Sequence, residues 1–238
     1  MSSSGYPDAG AGFLNTAVAV ARKDLRIEWR TLESLSSMVL FALIVLVVFN
    51  FAFDLATIRE LGVGKLVPGV LWTTLAFAGI VGFARSFQIE SRSDAMTALL
   101  LAPVDRGALF AGKTFANLAA LVTLELVVVP LSAVFFDYDL LAVAGPTAIV
   151  LALHTLGIAE LGTLLGAIAS RVGRGEALLA TLLFPVATPL FISAVKCTAA
   201  VLDGGGLASA SKWLLIAVGF DLLYLFVGLA TFEYVVEE

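Results

Sequence analysis

Charge, cysteine and histidine are scarce in this 238-residue chain. Asp, Glu, Lys and Arg make up only 14% of it, against the roughly 25% that clothes an ordinary water-soluble domain. One cysteine, Cys197, cannot close an internal disulfide, and one histidine, His154, cannot build a zinc site with that cysteine alone. The same count excludes a bis-histidine haem site. It leaves His154 as a single axial ligand or, on the plainer reading, as a hydrogen-bonding group against a neighbouring helix. A formal charge of -5 and the lack of basic, aromatic-studded clusters exclude nucleic acid as a partner.

Apolar residues are what is plentiful, at 60% of the chain with a mean hydropathy of +1.02. Six long intervals emerge once the charges are marked. Residues 34–53, 66–84 and 177–195 carry none, 213–232 only Asp221, 114–136 only Glu125, and 140–170 only Glu160. An apolar helix needs roughly 20 residues to cross a ~30 Å hydrocarbon core, and backbone in lipid must satisfy its own hydrogen bonds. The composition therefore predicts an all-α, polytopic membrane protein with six transmembrane helices. Residues 13–238 form one transmembrane domain, and the tail 1–12 is disordered. The 140–170 interval is longer than one crossing requires, which implies tilt or extension beyond the bilayer.

Lys and Arg set the orientation. With the N-terminus inside, ten basic residues (Arg22, Lys23, Arg26, Arg30, Arg85, Arg92, Arg106, Lys113, Arg171, Arg174) fall on the cytoplasmic side. Only four, Arg59, Lys65, Lys196 and Lys212, fall outside. This asymmetry predicts a multi-pass protein of the plasma membrane with both termini cytoplasmic.

Residues 107–114, GALFAGKT, match the phosphate-cradling pattern G-x-x-x-x-G-K-[ST]. A working cradle lies between a buried strand and a soluble helix, but here a membrane span follows Lys113 directly. The string AVFFD, ending at Asp137, would fall on the opposite side of the bilayer. The pattern is therefore expected to be a helix entry, with Lys113 snorkelling to the interface, and the chain is not expected to be an enzyme.

Two flanking segments are amphipathic. Between spans two and three, Pro103 should stop a short cytoplasmic helix covering about Phe87 to Leu101, and Asp105 is placed to cap the next helix. Near the N-terminus, Leu14, Val18, Ala21, Leu25, Trp29 and Leu32 fall within about 80° of arc at 100° per residue, with Lys23, Arg26 and Arg30 opposite. That pattern predicts an interfacial helix feeding span one.

Inside the spans, a carboxylate costs roughly 2.5–3.5 kcal/mol at mid-bilayer. Glu125, Glu160 and Asp221 are therefore expected to face protein or water, as interhelical latches or as path-lining groups. Gly162 and Gly166 form a small-residue face for helix contact. Pro185 and Pro189 remove two backbone donors within span five and mark a kink or pivot.

The stretch DAMTALLLAPVDRGALFAGK within residues 85–113 resembles the loop of CcmB proteins, permease subunits of the cytochrome c maturation ABC transporter. LGTLLGAIASRVGRGEALLATLLFPVATPLFISAV, residues 161–195, is similar to that family's fourth span, basic turn and proline-bearing fifth span. The acidic ending EYVVEE departs from the pattern. The resemblance implies a coupling element that receives a separate CcmA-like ATPase through Glu90, Arg92, Asp94, Thr97, Leu100, Pro103 and Asp105. It also implies CcmC-like and CcmD-like membrane partners and a CcmE-like haem chaperone. ATP would act through the partner and haem would be a handled ligand rather than a resident cofactor. Export of another lipid or small molecule, or a scaffold without transport, would use the same spans.

Overall fold

The computed structural model describes residues 9–53, 55–92, 105–171 and 175–237, and every regular element among them is helical. In chain order these are α1 (Ala9–Thr31), α2 (Glu33–Ala52), α3 (Leu55–Leu61), α4 (Val63–Arg92), α5 (Arg106–Phe135), α6 (Leu140–Arg171), α7 (Gly175–Leu202), α8 (Gly206–Ser209) and α9 (Ser211–Glu237). Six of them, α2, α4, α5, α6, α7 and α9, are long and apolar enough to cross a membrane. Each coincides with one of the six charge-poor intervals, because a helix satisfies its backbone hydrogen bonds within a single segment where water is absent.

α4 and α6 form the centre. α4 packs against α2, α5, α6 and α7, while α6 packs against α4, α5, α7 and α9. The outer helices touch in sequence, α2 with α5, α5 with α9, and α9 with α7. Trp72, Phe83, Leu124 and Leu190 are enclosed within the bundle, whereas Phe51, Leu126 and Phe226 stand on its perimeter. α6 is one unbroken 32-residue helix. At about 1.5 Å per residue it is roughly 48 Å long and must project beyond a ~30 Å core. The long fourth interval is therefore a single overlong span.

One boundary differs from the sequence expectation. α4 does not stop near Ala84 to restart at Phe87 but continues to Arg92, since Ala84, Arg85, Ser86 and Phe87 contain no breaker. The first part of the expected coupling helix is thus the end of span two. The remainder, with Asp94, Thr97, Leu100 and Pro103, lies outside the described residues. α7 likewise stays helical through Pro185 and Pro189, and Tyr224 of α9 donates to the carbonyl of Val186 between them at 2.8 Å.

α1 begins at Ala9, within the stretch expected to be a tail. Its apolar stripe is open, with Leu14 69% and Trp29 69% exposed. A second face, which the two-sided reading did not anticipate, packs along the start of α5. A β-carbon on Gly112 would stand 2.6 Å from the carbonyl oxygen of Ala17 and 2.8 Å from Cβ of Val20, so only glycine permits this approach. α1 turns into α2 at Leu32, a non-glycine residue in the left-handed region at φ 49°. There the Glu28 side chain accepts a hydrogen bond from the backbone N–H of Leu35 at 2.6 Å.

Candidate functional site

Two polar clusters stand out among the described residues of this apolar bundle. The first stands where α1, α4 and α5 meet at the basic end. Asp105 caps α5 by accepting from the Ala108 N–H at 3.1 Å. Residues 107–114 then run as regular helix, so the amides that would cradle a phosphate are directed along the helix axis. Lys113 does not snorkel. Its side chain is only 2% exposed, its Nζ lies 3.3 Å from Asp24 Oδ2 of α1, and it sits 4.8 Å from the Phe87 ring centroid of α4. Asp24 also meets Lys23 at 3.1 Å. A buried cation beside both a carboxylate and an aromatic face fastens three helices at one point. Arg85 of α4 adds a tie to Glu33 of α2 at 3.1 Å.

Glu90 and Arg92 belong to the last turns of α4, leading into the connection whose other end is the Asp105 cap. A cavity of about 230 Å³ lies between α1, α2, α4 and α5, walled by Glu28, Trp29, Met38, Phe83 and Asn117. That volume falls below the roughly 300 Å³ at which small-molecule pockets begin.

The second cluster runs down α6, whose polar residues reach a different neighbour at successive turns. His154 is fully enclosed, with Nδ1 2.7 Å from the Val150 carbonyl oxygen and Nε2 2.9 Å from Ser193 Oγ of α7. Ser193 Oγ is also 2.6 Å from the Trp213 carbonyl oxygen. With a neutral ring donating from Nδ1, the one Ser193 hydroxyl hydrogen serves either Nε2 or Trp213, not both. The Trp72 ring lies 5.5 Å from the imidazole, and its Nε1–H donates to Thr198 at 2.9 Å. With both ring nitrogens engaged and no exposure, His154 offers no open coordination position to a haem iron.

Thr155 donates to the Glu125 carboxylate of α5, joining α5 to α6. Further along, Asn117 of α5 donates to Thr163 at 2.9 Å. Glu160 and Asp221 differ from Glu125. Asp221 of α9 presses against bare backbone at Gly157, where a β-carbon would stand 2.2 Å from its Oδ1. Neither Asp221 oxygen nor Glu160 Oε2 has a hydrogen-bond partner among the described residues. Thr155→Val should lower stability in detergent by about 1–3 kcal/mol, because it leaves a buried acceptor without its donor. Glu125→Gln, which keeps an acceptor oxygen, should cost less than Thr155→Val. Thermal unfolding of the two variants decides the order.

Asp24, Phe87, Thr155, Asn117 and Ser193 were not anticipated. Lys113 carried the one usable signal: a lysine eight residues beyond the Asp105 cap, at the head of an apolar run, needs a partner close by.

A family model described as CcmB protein matches residues 15–235, which takes in all six spans and most of α1. A protein named heme exporter protein B, from Bradyrhizobium diazoefficiens, is 28% identical over 188 residues, covering 78% of this chain and 82% of its own length.

Proposed function

This chain belongs to the CcmB family, and from that premise we propose that it is the membrane permease subunit of an ABC transporter for cytochrome c biogenesis. It couples ATP hydrolysis in a separate CcmA-like subunit to haem export or to release of a haem-loaded, CcmE-like chaperone. CcmC-like and CcmD-like proteins complete the complex, which sits in the plasma membrane with both termini of this chain cytoplasmic.

The observation that carries this reading is the fate of residues 107–114. The chain's one nucleotide-like string is packed helix, its Gly112 closed by α1 and its Lys113 held by Asp24. That packing supports a reading in which the energy for a conformational stroke is supplied by another polypeptide. The connection between α4 and α5 is the proposed receiver. Glu90 and Arg92 stand on its α4 side, Asp94, Thr97, Leu100 and Pro103 within it, and Asp105 at the head of α5. Force applied there acts on two of the most heavily packed helices at once. Glu125 and His154, through Thr155 and Ser193, then hold the moving helices in register. Glu160 and Asp221 are polar groups available to line a path between α6 and α9, and the Pro185–Pro189 stretch of α7 supplies a pivot.

Deleting the gene should abolish haem staining of c-type cytochromes, and the wild-type chain should restore it. Asp94→Arg should insert into the membrane at wild-type levels yet fail to retain the ATPase subunit on affinity purification. Normal retention would remove the connection from the ATPase interface, while normal cytochrome maturation in the deletion strain would remove the function itself.

A further inference from the structure

On the lipid-facing side of the α1–α5 contact lies a groove of about 910 Å³, distinct from the smaller cavity between α1, α2, α4 and α5. Its floor is small, formed by Ala21 of α1 and Ala111 and Gly112 of α5. One wall is apolar, with Val18 63% and Phe115 57% exposed, and the other is cationic, formed by Arg22 and Arg26. The two walls follow from the helical wheel of α1, on which Arg22 lies just beyond the edge of the apolar stripe and Arg26 follows it one turn on, toward the basic face.

We propose that this groove is a binding site for an anionic glycerophospholipid, its phosphate held by Arg22 and Arg26 and an acyl chain laid along Val18 and Phe115. Three observations support that occupant. The first is charge. Arg22 and Arg26 have no ion pair among the described residues, whereas the acids of α1 are engaged, Asp24 by Lys23 and Lys113 and Glu28 by the Leu35 N–H. Two uncommitted guanidiniums on one edge suit a phosphate, which they can grip through paired N–H donors.

The second observation is depth. α5 has 30 residues and is about 45 Å long, roughly 15 Å more than the hydrocarbon core. Measured back from Phe135, the core ends near Phe115. The groove therefore spans the boundary between acyl chains and headgroups, where a cationic wall favours anionic lipid.

The third is size. The volume lies at the upper end of the roughly 300–1,000 Å³ range of ligand pockets, which suits a chain with its headgroup better than a free anion. The site rests on the proposed orientation only for its leaflet, the inner one; binding itself does not depend on the permease role.

Native mass spectrometry of the purified full chain in detergent, titrated with dioleoylphosphatidylglycerol or dioleoylphosphatidylcholine, tests the site. The wild type should retain the anionic lipid preferentially. The Arg22→Gln/Arg26→Gln double variant should weaken that retention by about tenfold or more, as expected for two surface cations. Lys196→Gln/Lys212→Gln, which removes the same charge at the opposite end of the bundle, should leave it unchanged. Phe115→Ala should also weaken retention, because the acyl chain loses a wall.

Equal retention of the two lipids, or equal loss in both double variants, would overturn the proposal. Displacement of the lipid by glycerol phosphate alone would overturn it too, by reducing the site to a free-anion patch. If the arginine variants bound lipid normally but failed to co-purify with the other transporter subunits, the groove would belong to a protein partner instead.

Discussion

Asp24→Ala should destabilise the protein more than Lys113→Met, and the double variant should recover most of the loss. The asymmetry follows from burial. Lys113 is 2% exposed at its side chain and Asp24 is 14% exposed with a second cation, Lys23, at 3.1 Å. Removing Asp24 takes the carboxylate away from a buried ammonium, a change that costs about 3–5 kcal/mol when a buried pair is broken from one side. Removing Lys113 leaves Asp24 with Lys23, and methionine fills the space against Phe87 with sulfur-aromatic contact. In the double variant no buried charge remains, so the coupling energy should be of order 2 kcal/mol or more and opposite in sign to the two losses. Thermal unfolding of the four proteins in one detergent measures this cycle. Additive losses, or a costlier Lys113→Met, would mean that the ion pair does not bind α1 to α5.

The second large effect concerns the contact between the two central helices. A β-carbon on Gly162 of α6 would stand 2.2–2.6 Å from three atoms of the Phe83 ring of α4, and one on Gly166 would stand 2.9 Å from the Phe87 ring. Both rings are buried, at 1% and 2% exposure. The G-x-x-x-G of α6 is therefore a pair of sockets for aromatic knobs rather than a surface for backbone-to-backbone contact. Gly162→Ala should cost about 1–3 kcal/mol as overpacking, and Phe83→Ala about 3–5 kcal/mol as a cavity. Gly162→Ala combined with Phe83→Leu should be more stable than Gly162→Ala alone, because the smaller side chain yields the room the methyl needs. A combined loss equal to the sum of the separate ones would show that the two positions do not share that space. Phe83 and Phe87 lie on the same helix that runs on to Arg92, so a loosened socket should also weaken transmission from the proposed ATPase-facing connection. That appears as lower cytochrome c maturation at equal membrane abundance.

The span count was legible because it is a property of each segment alone. A charge-poor run long enough to cross lipid must become a helix whatever its neighbours do, and Glu125, Glu160 and Asp221 interrupt their runs too seldom to change that. The Asp105 cap was legible for the same reason, since a cap bonds within four residues of itself. The break expected between Ala84 and Phe87 was not real. A proline at 103 bounds a helix from one end only, and nothing in that sequence separates a new helix from the continuation of α4.

Partnerships were not legible. Glu125 and Glu160 look alike as isolated charges in apolar runs, yet one accepts from Thr155 and the other keeps an oxygen without a hydrogen-bond partner among the described residues. The amphipathic wheel of α1 showed a lipid stripe and a basic stripe but not the face of Ala17 and Val20 that closes on Gly112. Hydrophobic periodicity weighs large side chains, and a close helix contact is made by small ones. Lys113 had an interface position available by reach alone, and the pairing with Asp24 depends on α1 returning across α5 from 89 residues away.

The sequence by itself determined that this chain is a six-span helical membrane protein, because the cost of burying backbone and charge in lipid is set locally, residue by residue. Only the tertiary structure decided which polar groups meet, which glycines receive aromatic rings, and that the phosphate-like string is sealed. Those outcomes depend on the relative placement of helices distant in the chain, which packing shape and pairwise charge select once the helices already exist.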